Sequence, residues 1–120
     1  MSRAELIERL EKAEGGSREL DAEIALLSGW KVFSGDNWIG PGGDIAVPAY
    51  TTDINAALEL VEAKLPGILS RIEGNENYGA AALYRDRFHE SCRIGVAVAK
   101  TRPLALVVAL FKAIEGEDQD

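Results

Sequence analysis

The sequence contains one cysteine, Cys92, and one histidine, His89, among its 120 residues. A single cysteine excludes an intramolecular disulfide and is typical of a reducing compartment. A single histidine leaves the common zinc sites short of ligands, because these sites combine several His and Cys side chains. We therefore predict that the protein holds no metal and no cofactor.

Positive charge is also scarce. The chain has 13 Lys and Arg against 20 Asp and Glu, which gives a formal net charge of −7. Binding to duplex nucleic acid needs clustered Lys and Arg that neutralise phosphates, so this class of partner is disfavoured. No segment reaches the roughly 18 apolar residues of a membrane span, and residues 1–5 lack the apolar run of a secretory leader. We expect a soluble, intracellular protein with no membrane partner.

The composition has an ordinary globular balance, with 47% hydrophobic and 28% charged residues. A chain of this length forms one domain and buries a core without disulfides or metal. We predict a single domain over residues 1–114. The acidic residues 115–120 place negative charge beyond the C-terminal end of the last helix, where the helix dipole disfavours it, so we predict a disordered tail there.

The stretch that begins at Pro48 predicts a strand end followed directly by a helix. Pro48 cannot continue a hydrogen-bonded ladder, and Thr52 or Asp53 can cap the first turn of the helix. Pro66 and Gly67 end it. Between them an apolar stripe recurs at helical spacing, formed by Ile54, Ala57, Leu58, Val61 and Leu65.

Similar patterns predict elements on both sides of this helix. Two helices precede it, over residues 4–13 and after a cap at Ser17, and a final helix begins at Thr101 or Arg102. Short β-prone segments separated by glycine-rich or polar turns predict strands over residues 30–34, 38–39, 45–47, 68–72, 80–84 and 93–99.

The last two elements have distinctive patterns. In the strand over residues 93–99, branched residues alternate with small ones, so we expect a helix to pack closely on the face of Gly95, Ala97 and Ala99. In the final helix every residue over 104–111 is apolar, which leaves no face for solvent. The helix either lies deep in the domain or is covered by another subunit. We favour the second interpretation and predict a homo-oligomer.

Three blocks contain most of the helix and cap signals: Arg18-Glu-Leu-Asp-Ala-Glu-Ile-Ala-Leu-Leu-Ser-Gly-Trp30, Tyr50-Thr-Thr-Asp-Ile-Asn-Ala-Ala-Leu-Glu-Leu-Val-Glu62 and Ala99-Lys-Thr-Arg-Pro-Leu-Ala-Leu-Val-Val-Ala-Leu110. In order and spacing they resemble the bacteriophage ABA sandwich domain family. The resemblance implies a small phage accessory protein in the host cytoplasm, with helices on both sides of an antiparallel sheet and no settled activity. The fold prediction is therefore α+β, a three-layer α/β/α sandwich with a mostly antiparallel sheet.

The densest basic cluster follows Tyr84 and consists of Arg85, Arg87, His89 and Arg93. Arginine binds phosphate in a bidentate manner and an adjacent aromatic ring can stack on a base, so this cluster predicts a small anionic-ligand site. The alternative is a solvated hairpin in which neighbouring acidic residues partly cancel the charge.

Other residues offer further candidates. Lys100 and Arg102 stand near the start of the last helix, where free backbone N–H groups would add to their charge; capping and solvation are the alternatives. Trp38 beside a glycine-rich turn is either a core residue or a stacking platform. His89 and Cys92 form either a thiolate–imidazole pair or a surface histidine beside a partly buried cysteine.

Three functions follow from these observations and from the resemblance. The leading hypothesis is a non-enzymatic phage protein that binds and sequesters a nucleotide-type immune signal of the host. One alternative is a protein-interaction module that inhibits a host factor through its acidic surface. The other is an uncharacterised enzyme, which requires that carboxylates converge in space.

Overall fold

The computed structural model describes residues 2–32, 37–41, 43 and 46–118. Four α-helices lie in these residues, together with a 3₁₀ turn at Glu90–Cys92 and two antiparallel sheets. The helices are α1 (Arg3–Lys12), α2 (Arg18–Leu27), α3 (Ile54–Lys64) and α4 (Arg102–Asp118). The strands are β1 (Lys31–Val32), β2 (Trp38–Ile39), β3 (Leu69–Gly74), β4 (Gly79–Tyr84) and β5 (Arg93–Ala99). The predicted α+β class is confirmed.

The helix starts follow from side-chain caps that the sequence predicts. Ser17 accepts a hydrogen bond from the Leu20 backbone N–H at 3.2 Å, and Asp53 accepts one from Asn55 at 2.9 Å. Each bond satisfies a backbone donor in the first turn that has no partner inside the helix. Asp53 is therefore the cap of α3. The buried face of this helix includes Leu60, which the predicted apolar stripe omits.

The larger sheet has the order β3–β4–β5, with antiparallel pairing throughout. Its inner face packs on α4, as the alternation in β5 predicts, and Gly95, Ala97 and Ala99 are buried there. A β-carbon built on Gly95 would lie 2.4 Å from the backbone oxygen of Ala109. The small face of β5 thus lets the backbone of α4 approach the strand closely.

The last helix is buried inside the single chain. Every residue over 104–110 is 0% exposed, because α1 and α3 pack against α4 in addition to the sheet. Of the two interpretations of this apolar run, the structure supports the deep position. The run therefore requires no second subunit, and the predicted homo-oligomer loses this particular support.

The opposite face of the sheet differs from the fold prediction. Its β5 residues Val96 and Val98 are 47% and 62% exposed, and no helix of the described residues covers them. A helical layer on this second face, and with it the three-layer sandwich, is not confirmed. The physical reason is that α1 and α3 are used to cover α4.

Other predicted boundaries changed. The strand expected over residues 45–47 is not formed at Ala46 and Val47, and Ile45 lies outside the described residues. Of the strand expected over residues 30–34, Lys31 and Val32 form β1, Trp30 is buried and precedes the strand, and residues 33–34 lie outside the described residues. Residues 115–118 of the predicted tail belong to α4, while residues 119–120 lie outside the described part.

None of the helices described is long and apolar enough to cross a membrane.

A buried polar network fixes the segment that leads into α3. Asp21 on α2 is 0% exposed and accepts hydrogen bonds from the Thr51 backbone N–H at 2.8 Å and from the Thr51 hydroxyl at 2.7 Å. Arg18 donates to Asp21 at 3.0 Å and to the backbone oxygen of Val47 at 2.8 Å. These bonds hold the N-terminus of α3 in place against α2.

Candidate functional site

An open cleft of about 860 Å³ lies where the N-termini of α3 and α4 meet the β3–β4 turn. Ligand pockets for small molecules typically have volumes of about 300–1,000 Å³, so the cleft has a suitable size. It is lined by Thr52, Ile54, Ile72, Glu73, Gly74, Asn75, Glu76, Lys100, Thr101, Arg102 and Pro103. Two of the predicted site residues, Lys100 and Arg102, are thus brought together.

The two cations of the cleft are held differently. One guanidinium nitrogen of Arg102 donates to the backbone oxygen of Gly74 at 2.8 Å, which ties the start of α4 to the end of β3. Lys100 is exposed and has no hydrogen-bond or ion-pair partner among the described residues. Arg102 therefore has a structural contact, whereas the ammonium group of Lys100 is available to a ligand.

The backbone of the helix ends contributes less than the sequence predicts. Pro103 has no N–H, and the Leu104 N–H donates to the Thr101 hydroxyl at 3.3 Å. A β-carbon on Gly79 would lie 2.4 Å from the backbone nitrogen of Arg102, so β4 covers that peptide closely. At α3 the carboxylate of Asp53 already occupies the helix end. Attraction for an anion in this cleft must come from side chains.

Acidic and apolar groups complete the lining. Glu73 and Glu76 face the same space, and Glu73 forms an ion pair with Arg71 at 3.3 Å. Ile54, Ile72 and Pro103 add apolar surface. A cleft with two cations, two carboxylates and apolar surface suits a flat ligand that has both an anionic group and hydrogen-bond donors. A nucleotide has these features, since Arg and Lys bind phosphate and carboxylates accept from the amino groups of bases.

The other predicted basic cluster lies at the far end of the sheet. Arg85 follows the last residue of β4, whereas the cleft lies beside Gly79 at its start. Six strand residues span about 20 Å, so Arg85, Arg87 and Arg93 do not share a ligand site with Lys100. All three arginines are exposed. The predicted site residues therefore divide into two separate groups.

The predicted aromatic residues are mostly covered. Tyr84 is only 8% exposed, and its ring meets that of Phe88 edge-on at 5.3 Å between centroids. Trp38 is half-buried and packs against the core, which fits the core interpretation better than a stacking platform. The Tyr84 ring is thus largely unavailable for the base stacking that the sequence predicts.

The exposed aromatic residue of this region is Phe88, which sequence reasoning missed. It is 57% exposed and lies in the loop between β4 and β5, where Asp86 adopts a positive φ of 68°. The signal was present in the sequence, because a phenylalanine stands alone in the polar run Arg85-Asp-Arg-Phe-His89. Large apolar residues in such runs are either buried by a neighbour or left for contact.

His89 and Cys92 do not pair directly within the described residues. A ring nitrogen of His89, Nδ1, lies 2.8 Å from the Ser91 hydroxyl and 3.2 Å from the Ser91 backbone nitrogen, and so caps the 3₁₀ turn. Cys92 is half-buried. Among the described residues no three His, Cys, Asp or Glu side chains are grouped so that they could hold a metal ion.

No family model, curated protein or solved structure matches this chain. The resemblance to the phage ABA sandwich family therefore stays a prediction, and the function must be argued from the geometry of the molecule.

Proposed function

We propose that the protein binds a small anionic ligand of the nucleotide type in the cleft between α3, α4 and the β3–β4 turn, without chemical turnover. The observation that supports this most is the unpaired ammonium group of Lys100 beside Arg102 in a cleft of about 860 Å³. The carboxylates of Glu73 and Glu76, which line the same cleft, add hydrogen-bond acceptors that a simple phosphate would not use.

The biological form of the proposal is sequestration. A phage protein in the host cytoplasm that binds a nucleotide immune signal and leaves it intact lowers the free concentration of that signal. The resemblance of the three sequence blocks to the phage ABA sandwich family motivates this form. The three-layer arrangement that the resemblance implies is a further part of the same proposal.

The experiment combines thermal melting with native mass spectrometry against cyclic dinucleotides and ADP-ribose derivatives. A ligand at 100 times its dissociation constant stabilises the folded state by about 2.7 kcal/mol. For a domain of this size that raises the melting temperature by roughly 10 °C. A stoichiometric mass increase with the ligand recovered unchanged is the expected result, whereas recovery of a converted product would contradict the non-enzymatic proposal.

Matched variants locate the site. Lys100→Ala removes an exposed cation without a structural partner and should abolish the shift in melting temperature. Arg87→Ala removes an exposed cation at the other end of the sheet and should leave the shift unchanged. The opposite pattern would place the ligand at the cluster of Arg85, Arg87 and Arg93 and overturn the cleft.

A second candidate function is inhibition of a host protein through the acidic surface. The specific observation is that α1 and the loop after it expose Glu5, Glu8, Glu11 and Glu14. Binding through such a surface weakens steeply as salt is added, because exposed charges are screened. Partner capture from host extract at low and high salt tests this, and capture that is insensitive to salt would exclude the acidic surface.

A further inference from the structure

The outer face of the β3–β4–β5 sheet, opposite α4, is a largely apolar surface that no helix of the described residues covers, and only its end at Tyr84 lies against Phe88 of the following loop. We define it by Arg71 and Glu73 on β3, Ala80, Ala82 and Tyr84 on β4, and Val96 and Val98 on β5. The register pairs Arg71 with Ala82 and Ala82 with Val96, and it pairs Glu73 with Ala80 and Ala80 with Val98. These residues also line a shallow groove of about 240 Å³.

The side chains of β5 are distributed in the reverse of the usual order. An antiparallel strand with one solvated face ordinarily buries its bulky apolar residues and exposes polar ones. Here the buried positions hold Gly95, Ala97 and Ala99, while the exposed positions hold Val96 and Val98. Packing on α4 explains the small residues but leaves the two exposed valines without a role in the single chain.

The outer face has a ridge and a furrow. Val96 and Val98 form the ridge, and Ala80 and Ala82 form the furrow beside it at the same register. Tyr84 ends the furrow, and Phe88, in contact with Tyr84, extends the apolar surface beyond it.

Charge on this face is confined to its border. Arg71 and Glu73 lie on the edge strand β3 and form an ion pair with each other. At the other end of the face, exposed Arg93 pairs in register with Tyr84. The centre of the face, formed by Ala80, Ala82, Val96 and Val98, therefore carries no charge, although the protein has a net charge of −7. A strongly charged partner would find no complementary charge at the centre of this surface.

We propose that the outer face binds the same face of a second copy of this chain, so that two sheets pack together in a two-fold dimer. A two-fold axis parallel to the strands, between β4 and β5, places the valine ridge of each copy over the alanine furrow of the other. Such an interface is self-complementary because each copy supplies both shapes. Arg71 and Glu73 then lie at the polar rim, as in other interfaces.

The size of the face sets the strength of the dimer. With the axis between β4 and β5, these two strands of about 20 Å, spaced about 4.8 Å apart, overlap over roughly 200 Å² in projection. Stable interfaces bury about 800 Å² per partner, so the two strands and Phe88 together support only a weak association that depends on concentration. Since α4 lies behind each sheet, helices would then cover both outer sides of the paired sheets.

This inference does not depend on ligand binding. Of the residues that define the outer face, Glu73 also lines the cleft, whereas Lys100 and Arg102 do not belong to the face. Loss of dimerisation and loss of ligand are therefore separable by different variants.

Sedimentation velocity of the full chain, from low micromolar to near-millimolar concentration, tests the proposal. The wild type should change from monomer to dimer, and Val98→Glu should stay monomeric while its circular dichroism spectrum is unchanged, because Val98 is exposed in the single chain. Leu26→Glu, at an apolar position of α2 with 50% exposure, should dimerise like the wild type. A wild type that is monomeric throughout, or equal behaviour of the two variants, would overturn the proposal.

Two further measurements test the proposal if Val98→Glu fails to fold, and test the geometry of the proposed interface. If Val98→Glu does not fold, Val98→Thr keeps the branched shape and should still weaken the dimer several-fold. In a Cys92→Ser background, Val96→Cys mixed with Ala82→Cys should give disulfide-linked heterodimers in preference to either homodimer. A dimer that persists without this cross-link would place the interface elsewhere.

Discussion

Replacement of Asp21 by alanine should destabilise the protein more than any other single loss of an acidic side chain in the described residues. Its carboxylate is fully buried and binds both the N–H and the hydroxyl of Thr51, as well as Arg18. The neighbouring contacts decide the cost. Without Asp21, the Thr51 hydroxyl can donate to the backbone oxygen of Ser17, which already lies 3.1 Å away.

The Thr51 N–H has no such second partner among the residues that the structure describes. A buried unpaired donor costs about 1–3 kcal/mol, and the lost hydrogen bonds to a charged acceptor add a similar amount. The ion pair with Arg18 contributes little, because the Arg18 side chain is 65% exposed. We therefore expect Asp21→Ala to lower the free energy of unfolding by about 3 kcal/mol.

Urea denaturation measures this difference, provided that the slope of the transition is unchanged. Glu19→Ala is the matched control, since it removes an exposed carboxylate of the same helix that pairs with Arg9 at 3.4 Å, and it should cost below about 1 kcal/mol. Thr51→Val combined with Asp21→Ala should cost less than the sum of the two single changes. A loss below about 1 kcal/mol for Asp21→Ala would refute the assigned role of the network.

Two further predictions follow from local geometry. Gly95→Ala should lower the free energy of unfolding by about 1–3 kcal/mol, because the added β-carbon meets the backbone oxygen of Ala109. The control Gly15→Ala should be nearly neutral, because a β-carbon there has no atom within 4 Å. Equal melting temperatures of the two variants would contradict the close packing of α4. The hydrogen bond from Lys12 at 2.6 Å, followed by its charge, lowers the pKa of Glu8, so Lys12→Met should raise that pKa toward its ordinary value in an NMR titration. The stabilising effect of this exposed pair is present above the unfolded-state pKa of Glu8 and is lost as the pH falls through the lower folded-state pKa. An unchanged Glu8 titration in Lys12→Met would contradict the assignment of the pKa shift to Lys12.

Local signals in the sequence predicted local structure. The caps at Ser17 and Asp53, the start of α4 and the three strands of the larger sheet depend on residues close in sequence, and all of them are formed, with the ends of β3 and β4 shifted by one or two residues from the prediction. The packing of α4 on the small face of β5 was also predictable, because alternation along a strand determines which side chains share a face.

Features that depend on distant contacts were not predictable in the same way. Asp21 in the first turn of α2 is adequately explained by the helix dipole, and only the position of Thr51, 30 residues away, shows that it is buried. The separation of Lys100 from the arginines near Tyr84 likewise depends on the direction of β4 and β5. Burial of Tyr84 follows from the fold of the following loop, which brings Phe88 over its ring.

The position of α4 connects the core with the surfaces that we propose for binding. A helix that is apolar on all sides needs cover on all sides, and α1 and α3 supply this on the sides that the sheet leaves open. Because α1 and α3 cover α4, they cannot also cover the outer face of the sheet. In a single chain this outer face is exposed to solvent, so polar residues would be favoured there. Strand propensity alone does not explain the valines, since threonine is also branched at the β-carbon and leaves less apolar surface. Val96 and Val98 are therefore the residues for which we propose a partner, and the proposed second copy would present a surface that matches them.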